Sequence, residues 1–230
     1  MKIHRFFISE PLPLAGEFTV TDANLLNQWR NVLRMKEGVE ILAFDGGGDE
    51  VRCVLRALEK KSAILTVVKR EKGLMPLRDI TLFVALIKRD NFELVLEKAT
   101  ELGVSRIVPV ETARSEKKSF NRERSEKILC EAAEQSGRAT VPVLADIIDI
   151  KNVPHAGLAV FDPRGKISAR LYFNTHMDDP VGLLVGPEGG FTDDEIALFK
   201  DQNIPTVTTG STILRAETAV IAALVLATVR

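Results

Sequence analysis

From residue 80 onward the chain alternates two kinds of segment, and this alternation restricts the possible folds more than any other feature. "ITLFVAL", "RIVPV", "GLAVFD" and "VGLLVG" are short runs that are apolar at nearly every position. A strand with one wet face would alternate apolar and polar residues, so these runs must be covered on both faces. Between them lie segments of helical period. "NFELVLEKATELG" spaces Phe92, Val95, Leu96, Ala99 and Leu102 along one helix face, with Gly103 as its stop. "RSEKILCEAAEQSG" is the next helix and "VPVL" a further short strand. Buried strands alternating with amphipathic helices make an α/β unit with a mainly parallel sheet, covered on both sides.

The first seventy residues read differently. "HRFFIS", "GEFTV", "VEILAF", "VRCVLRAL" and "AILTVVKR" are strand candidates, and "DGGGDE" forms a hairpin turn between the middle two. One helix interrupts them, with Asp22 capping "ANLLNQWRNVLRM" and Leu25, Leu26, Trp29, Val32 and Leu33 on one face. Five strands and a helix predict a small barrel over residues 1–70. The charge, Gly and Pro of "REKGLMPLRD" predict a linker over 71–79, leaving 80–230 as the α/β unit. The length of 230 residues is enough for either one large or two smaller cores.

Composition narrows the setting. Cys53 and Cys130 lie in apolar patterns without metal-ligand spacing, as reduced core thiols of a cytoplasmic protein would, and no metal site is visible. "MKIHRFFISEP" has no long apolar region of a secretory signal. "AVIAALVLATV" at residues 219–229 is too short to cross a bilayer and reads as a buried helix. Residues 1–140 carry 24 Lys/Arg against 21 Asp/Glu, whereas 141–230 carry 7 against 11. That points a polyanionic partner toward the first half, although chance asymmetry on a solvated surface gives the same count.

Two segments carry candidate chemistry. In "LLVGPEGGFTDDE" an apolar strand ends in Gly186-Pro187-Glu188-Gly189-Gly190, and Thr192 with Glu195 forms a capping box for the next helix. Ligands of open α/β sheets bind at such carboxyl ends, and Gly189 and Gly190 without Cβ let a flat ligand approach the main chain. The spacing is neither a Walker loop nor a dinucleotide fingerprint, and turn chemistry alone also accounts for it. In "PTVTTGSTILRAETAVIAALVLATVR" a strand at 206–209 meets a tight turn at Gly210-Ser211, followed by a helix to the end. That helix is almost wholly apolar, so it must be buried all round, which calls for a partner subunit.

Together these segments resemble those of the SPOUT superfamily of S-adenosylmethionine-dependent RNA methyltransferases. The chain is most similar to the ribosomal RNA small-subunit methyltransferase E family. The resemblance runs through "HRFF" (4–7), "NVLR" (31–34), "FDGGG" (44–48), "KATELGV" (98–104), "EQSGR" (134–138), "GPEGGF" (186–191) and "ILRAETA" (213–219). It implies an N-terminal PUA-like β-barrel for RNA and a C-terminal SPOUT α/β domain whose chain end forms a trefoil knot, which no local rule proposes. It further implies a homodimer that methylates N3 of a uridine in the 16S rRNA of the small ribosomal subunit. The alternatives are another RNA site, in tRNA or at a ribose hydroxyl, and a non-catalytic ribosome-assembly factor. By matching motif, the cofactor loops are Val185, Gly186, Pro187, Glu188, Gly189 and Gly190, and Thr209, Gly210, Ser211, Ile213 and Leu214, bordered by Arg215, Glu217 and Thr218. Two departures stand out. The family's histidines before "VLR" are replaced by Asn27-Gln28-Trp29-Arg30, and its Leu-Gly by Thr209-Gly210.

Methyl transfer is an in-line displacement governed by positioning, and uracil N3 is a poor nucleophile while protonated. A fixed cation facing the uracil oxygens would favour the anion, and Arg215 is the candidate. The bland role is an arginine bound to a phosphate or to Glu217. Glu188 can lie near the sulfonium or take a proton through water, or be a solvated loop carboxylate. Arg138 can clamp a phosphate, or simply be well placed at a helix C-terminus. Lys88 and Arg89, and His4, Arg5, Arg30 and Arg34 in the barrel, can hold RNA phosphates or be ordinary surface charges.

Overall fold

The computed structural model describes residues 3–116, 118–176 and 181–228. Two compact units emerge, Met1–Met75 with Ala133–Val141, and Pro76–Ala132 with Pro142–Arg230.

The first unit contains strands β1 (His4–Phe7), β2 (Glu17–Val20), β3 (Glu40–Phe44), β4 (Asp49–Leu58) and β5 (Ala63–Lys72). They form one five-stranded sheet in the order β1-β3-β4-β5-β2. β1 pairs parallel to β3 and the remaining pairs are antiparallel. Two register irregularities between β4 and β5 add local bend and twist to the sheet. Alternate residues of β4, Val51, Cys53 and Leu55, are fully buried, as the period of two requires.

The helix of this unit is shorter than its apolar pattern predicts. Asp22 Oδ1 accepts from Leu25 N at 2.8 Å and starts α1 (Ala23–Asn27). The chain then widens into a π-helical turn over Gln28–Val32. The extra residue in that turn shifts the helical face. Trp29 is fully buried edge-on to Phe6, whereas Val32, expected on the same face, is 69% exposed. β5 reaches Lys72, inside the stretch read as linker. The segment 133–141 also belongs to this unit, where Phe7 N donates to Glu134 Oε1 at 2.8 Å and Gly48 N to the carbonyl of Ala139. No composition shift marks that excursion.

The second unit supplies β6 (Ile80–Ala85), α2 (Arg89–Glu101), β7 (Arg106–Glu111) and α3 (Arg122–Ser136), whose last residues, from Ala133, are counted with the first unit. There follow β8 (Val143–Leu144), β9 (Ile148–Asp149), β10 (Leu158–Phe161), β11 (Ile167–Ser168), α4 (Ala169–Thr175), β12 (Val181–Val185), α5 (Asp193–Asp201), β13 (Thr206–Thr208) and α6 (Ala216–Thr228). The sheet order is β11-β13-β10-β12-β6-β7-β8, with β9 beside β7, and every pairing is parallel. Every residue of β10 is buried, and in β6 and β12 only Thr81 and Gly182 are less than buried. The doubly covered sheet expected from the apolar runs is present. β9, β11 and α4 are too short or too polar to stand out in the sequence. α6 packs on α2, α4 and β12. Val229 and Arg230, expected to continue this helix, lie outside the described residues, among which no helix is long and apolar enough to cross a membrane.

Candidate active site

Three adjacent parallel strands, β13, β10 and β12, end on the same side of the sheet. The segments that follow them enclose a cavity of about 300 Å³. This is where an open α/β sheet binds ligands, because the carboxyl ends diverge into loops that leave a crevice.

The first wall follows β12. Its three glycines meet three different surroundings. At Gly186 an added Cβ would stand 3.0 Å from the ring of Phe191, which is 1% exposed and packs edge-on to Phe199. At Gly189 it would meet the side chain of Arg114 at 3.3 Å. At Gly190, with φ of +66°, it would enter open space. Only Gly190 therefore leaves the main chain open to a ligand, a correction to the expectation that Gly189 does so too. The turn closes through Gly190 N donating to Pro187 O at 2.8 Å. Behind it the capping box is complete. Thr192 Oγ1 accepts from Glu195 N at 3.2 Å, and Glu195 Oε2 accepts from Thr192 N at 2.7 Å. The same carboxylate accepts from Ala113 N at 2.8 Å, which ties the loop after β7 to the start of α5.

The second wall follows β13. Thr208 Oγ1 donates to Gly210 O at 2.9 Å and accepts from Gly210 N at 3.3 Å, bending the chain toward α6. Ile213 lines the cavity while 84% exposed, an apolar surface with no protein cover. The third wall is the end of β10, Phe161-Asp162-Pro163, which sequence reasoning missed. Its signal is "DPRG", with Asp, Pro and Gly at the first, second and fourth places of a type I turn.

Of the expected cofactor residues, Val185, Gly186, Pro187, Glu188, Gly190, Thr209, Ile213 and Leu214 line the cavity, as does Arg215. Gly189, Gly210, Ser211 and Thr218 do not. Gly189 faces Arg114, and Gly210, Ser211 and Thr218 are solvent-exposed. Thr208 and Ala219 also line the wall, without having been singled out in the sequence, and so does Thr212 within the expected loop from Thr209 to Leu214.

Arg215 is exposed at the rim and makes no ion pair or side-chain hydrogen bond among the described residues, with Glu217 or any other carboxylate. Glu217 is 9% exposed, and its Oε2 is buried without a hydrogen-bond partner among the described residues. Glu188 Oε1 accepts weakly from Lys88 N at 3.4 Å, so this carboxylate sits over the first turn of α2 and links two neighbouring strand ends.

The expected RNA contacts divide by their commitments. His4 and Arg34 are exposed, and Arg34 takes a left-handed φ of +50°. Arg30 donates to the carbonyls of Glu59 and Lys60 at 2.8 and 2.9 Å. Arg5 is bonded to Glu50 and to Arg138 O. Lys88 is 3.9 Å from Glu116, and Arg89 is 3.5 Å from both Asp90 and Glu93, all solvent-screened pairs. Arg138 is a correction. It is 4% exposed, its Nε and Nη2 donate to Thr140 Oγ1, and burial pushes its pKa down to about 10. A guanidinium enclosed in this way holds the 133–141 segment and cannot reach a phosphate from its present position. Among the described residues no group of three or more His, Cys, Asp or Glu could hold a metal.

Comparison with known proteins places this geometry. The RNA methyltransferase domain family matches residues 74–228, and the RNA methyltransferase PUA domain family matches residues 30–68. Ribosomal RNA small subunit methyltransferase E of Rickettsia conorii is 30% identical over 239 residues, covering 97% of this chain and 94% of that protein. The Bacillus subtilis protein of the same name is 31% identical over 245 residues, covering 96% and 94%. The crystal structure of ribosomal RNA small subunit methyltransferase E from Neisseria gonorrhoeae bound to S-adenosyl methionine has a TM-score of 0.86 at 29% identity, over 97% of this chain and 95% of that one. With its parallel sheet, PUA-like unit and glycine-lined cavity, the chain belongs to the ribosomal RNA small subunit methyltransferase E family.

Proposed function

We propose that this protein is an S-adenosylmethionine-dependent methyltransferase acting on N3 of a uridine in the 16S rRNA of the small ribosomal subunit. One observation supports this most. The segments that follow β12 and β13 both line one cavity, and Arg215, without an ion pair among the described residues, stands at its rim.

The residues present fit the donor. A volume of about 300 Å³ lies at the lower end of small-ligand sites. Ile213, Leu214 and Val207 offer apolar surface, Thr208, Thr209 and Thr212 offer polar groups, and the open space at Gly190 admits a ligand against the main chain. When bound, S-adenosylmethionine supplies an electrophilic methyl group on a sulfonium.

The chain's own residues then have separable tasks. Arg215 places a permanent charge where the carbonyl oxygens of a deprotonated uracil would lie, favouring the anion over the neutral base. Glu188, also at the rim, accepts the N3 proton through water, while its link to Lys88 N limits its wandering. Arg34 and His4, exposed in the first unit, contribute phosphate contacts, and so do Lys88 and Arg89 in the second.

The same reading includes a trefoil-knotted chain end and a homodimer through the second unit. The dimer draws support from α6, where Thr218 and Val225 are exposed and Ile221 and Ala222 half-buried along one face of a nearly all-apolar helix. The same reading puts the enzyme in the cytoplasm, with its ribosomal RNA substrate. The decisive experiment is methylation of purified small-subunit rRNA, followed by nucleoside mass spectrometry. The expected product is 3-methyluridine. A ribose-methylated nucleoside, or methylation of tRNA alone, would sink the proposal.

A further inference from the structure

The glycine turn after β12 has few bonds of its own. Beyond the closure from Gly190 to Pro187, its carbonyls at Gly189 and Phe191 are held from outside by two arginines that do not line the cavity. Arg114, from the loop after β7, donates through Nη1 to Gly189 O at 2.7 Å and to Phe191 O at 3.4 Å. Arg164, from the turn after β10, donates through Nη2 to the same Phe191 O at 3.1 Å. Arg164 is itself fixed. Its Nε and Nη2 bind the two oxygens of Asp162 at 2.8 and 2.9 Å, and Nη1 reaches Asp193 at 3.0 Å. The Asp162 side chain is 3% exposed, and Asp162 is part of the cavity wall. Its Oδ1 also accepts from Arg164 N, so one carboxylate shapes the turn and aims the guanidinium.

We propose that Arg114 and Arg164 are positioning residues for methyl transfer. They converge on the Phe191 carbonyl from the two sides of β12 and hold the glycine turn in its donor-binding shape. This rests on the reading of the cavity as the S-adenosylmethionine site. The glycines make that turn permissive, so without external anchors it would sample many conformations, and binding would have to order it. Two guanidiniums on fixed strand ends remove that cost beforehand. A Cβ at Gly189 would press on Arg114, so the glycine there serves the clamp rather than the ligand.

The test uses the full-length enzyme, with rRNA and S-adenosylmethionine varied separately. Arg114→Ala and Arg164→Ala should each raise KM for S-adenosylmethionine by about tenfold and leave KM for RNA within about twofold, as loss of preorganisation predicts. Because both side chains act on one carbonyl, the double variant should depart from the product of the two single effects. Arg114→Lys, which keeps one donor, should recover part of the loss. Arg124→Ala, which removes an arginine bound to Glu93 on the helical surface, controls for the loss of positive charge. Arg164→Ala strands the buried Asp162 carboxylate. If it does not fold, the exposed Arg114 pair of variants and calorimetric binding of S-adenosylhomocysteine decide the matter. An unchanged KM for S-adenosylmethionine in Arg114→Ala, or a fall in kcat alone, overturns the clamp and leaves the site intact. Wild-type enzyme that fails to bind S-adenosylmethionine or S-adenosylhomocysteine overturns both.

Discussion

At the residue scale, the proposed reading gives Arg215 a part in the chemistry and the glycines of the first wall a part in its shape. Arg215 is exposed, in the cavity wall and without an ion pair among the described residues, so truncating it strands no buried partner among them. Arg215→Ala should therefore keep the Kd for S-adenosylmethionine while lowering kcat about 10²–10³-fold, the usual loss when a stabiliser of developing negative charge is removed. Calorimetry beside single-turnover kinetics would check this, and equal losses in both would make Arg215 part of the pocket rather than of the chemistry. The glycines should separate in the opposite sense. Gly186→Ala drives a methyl group to within 3.0 Å of the buried Phe191 ring, and overpacking of this kind costs about 1–3 kcal/mol, read as a lower urea midpoint. Gly190→Ala meets no atoms, so its strain is only that of the left-handed backbone, about 1–2 kcal/mol, and its methyl group should weaken donor binding as well. The sequence marks these positions as special without separating them, because the difference lies in Phe191 and Arg114, residues that fold against the turn from elsewhere.

At the scale of elements, what was legible followed directly from local periodicity. The apolar runs became β6, β7, β10 and β12, Asp22 capped α1, and Thr192 with Glu195 formed the reciprocal cap of α5. Thr192→Ala should cost about 1 kcal/mol, measured by urea denaturation, because it leaves Glu195 N without its side-chain acceptor. Glu195→Ala should cost more, since that carboxylate is 7% exposed and also holds Ala113 N in the loop that carries Arg114. Long-range packing was not legible. Nothing in "ANLLNQWRNVLRM" announces a π turn at Gln28–Val32, the turn that carries Trp29, which is buried edge-on to Phe6 in the core of the first unit. In the same way Arg138, which reads as a surface charge at a helix end, is enclosed because residues 133–141 pack with the first unit.

At the scale of the whole molecule, charge and assembly set the conditions under which the enzyme works. Hydrogen bonds from Arg124 to Glu93, from Lys69 to Glu71 and from Lys72 and Arg70 to Asp49 all hold those carboxyls below their ordinary range. The folded state therefore binds fewer protons there than the unfolded chain. Their contribution is complete above the unfolded values near 4 and is lost as pH falls through the lower folded ones. Thermal midpoints should be flat from neutral pH to about 5 and fall below it, with added salt narrowing the difference between the two regimes. The proposed homodimer rests on α6. A nearly all-apolar helix with Val225 38% exposed in the single chain leaves apolar surface that a second subunit would cover. Val225 lies outside the cavity wall, so Val225→Asp should act on association before it acts on chemistry. Light scattering after gel filtration should show dimer for the wild type and monomer for the variant at micromolar concentration, where burial of a carboxylate disfavours the interface. If one active site draws on both subunits, turnover should fall with the dimer fraction and recover at high protein concentration. A variant that stays dimeric, or a wild type that is monomeric throughout, would move the interface off α6.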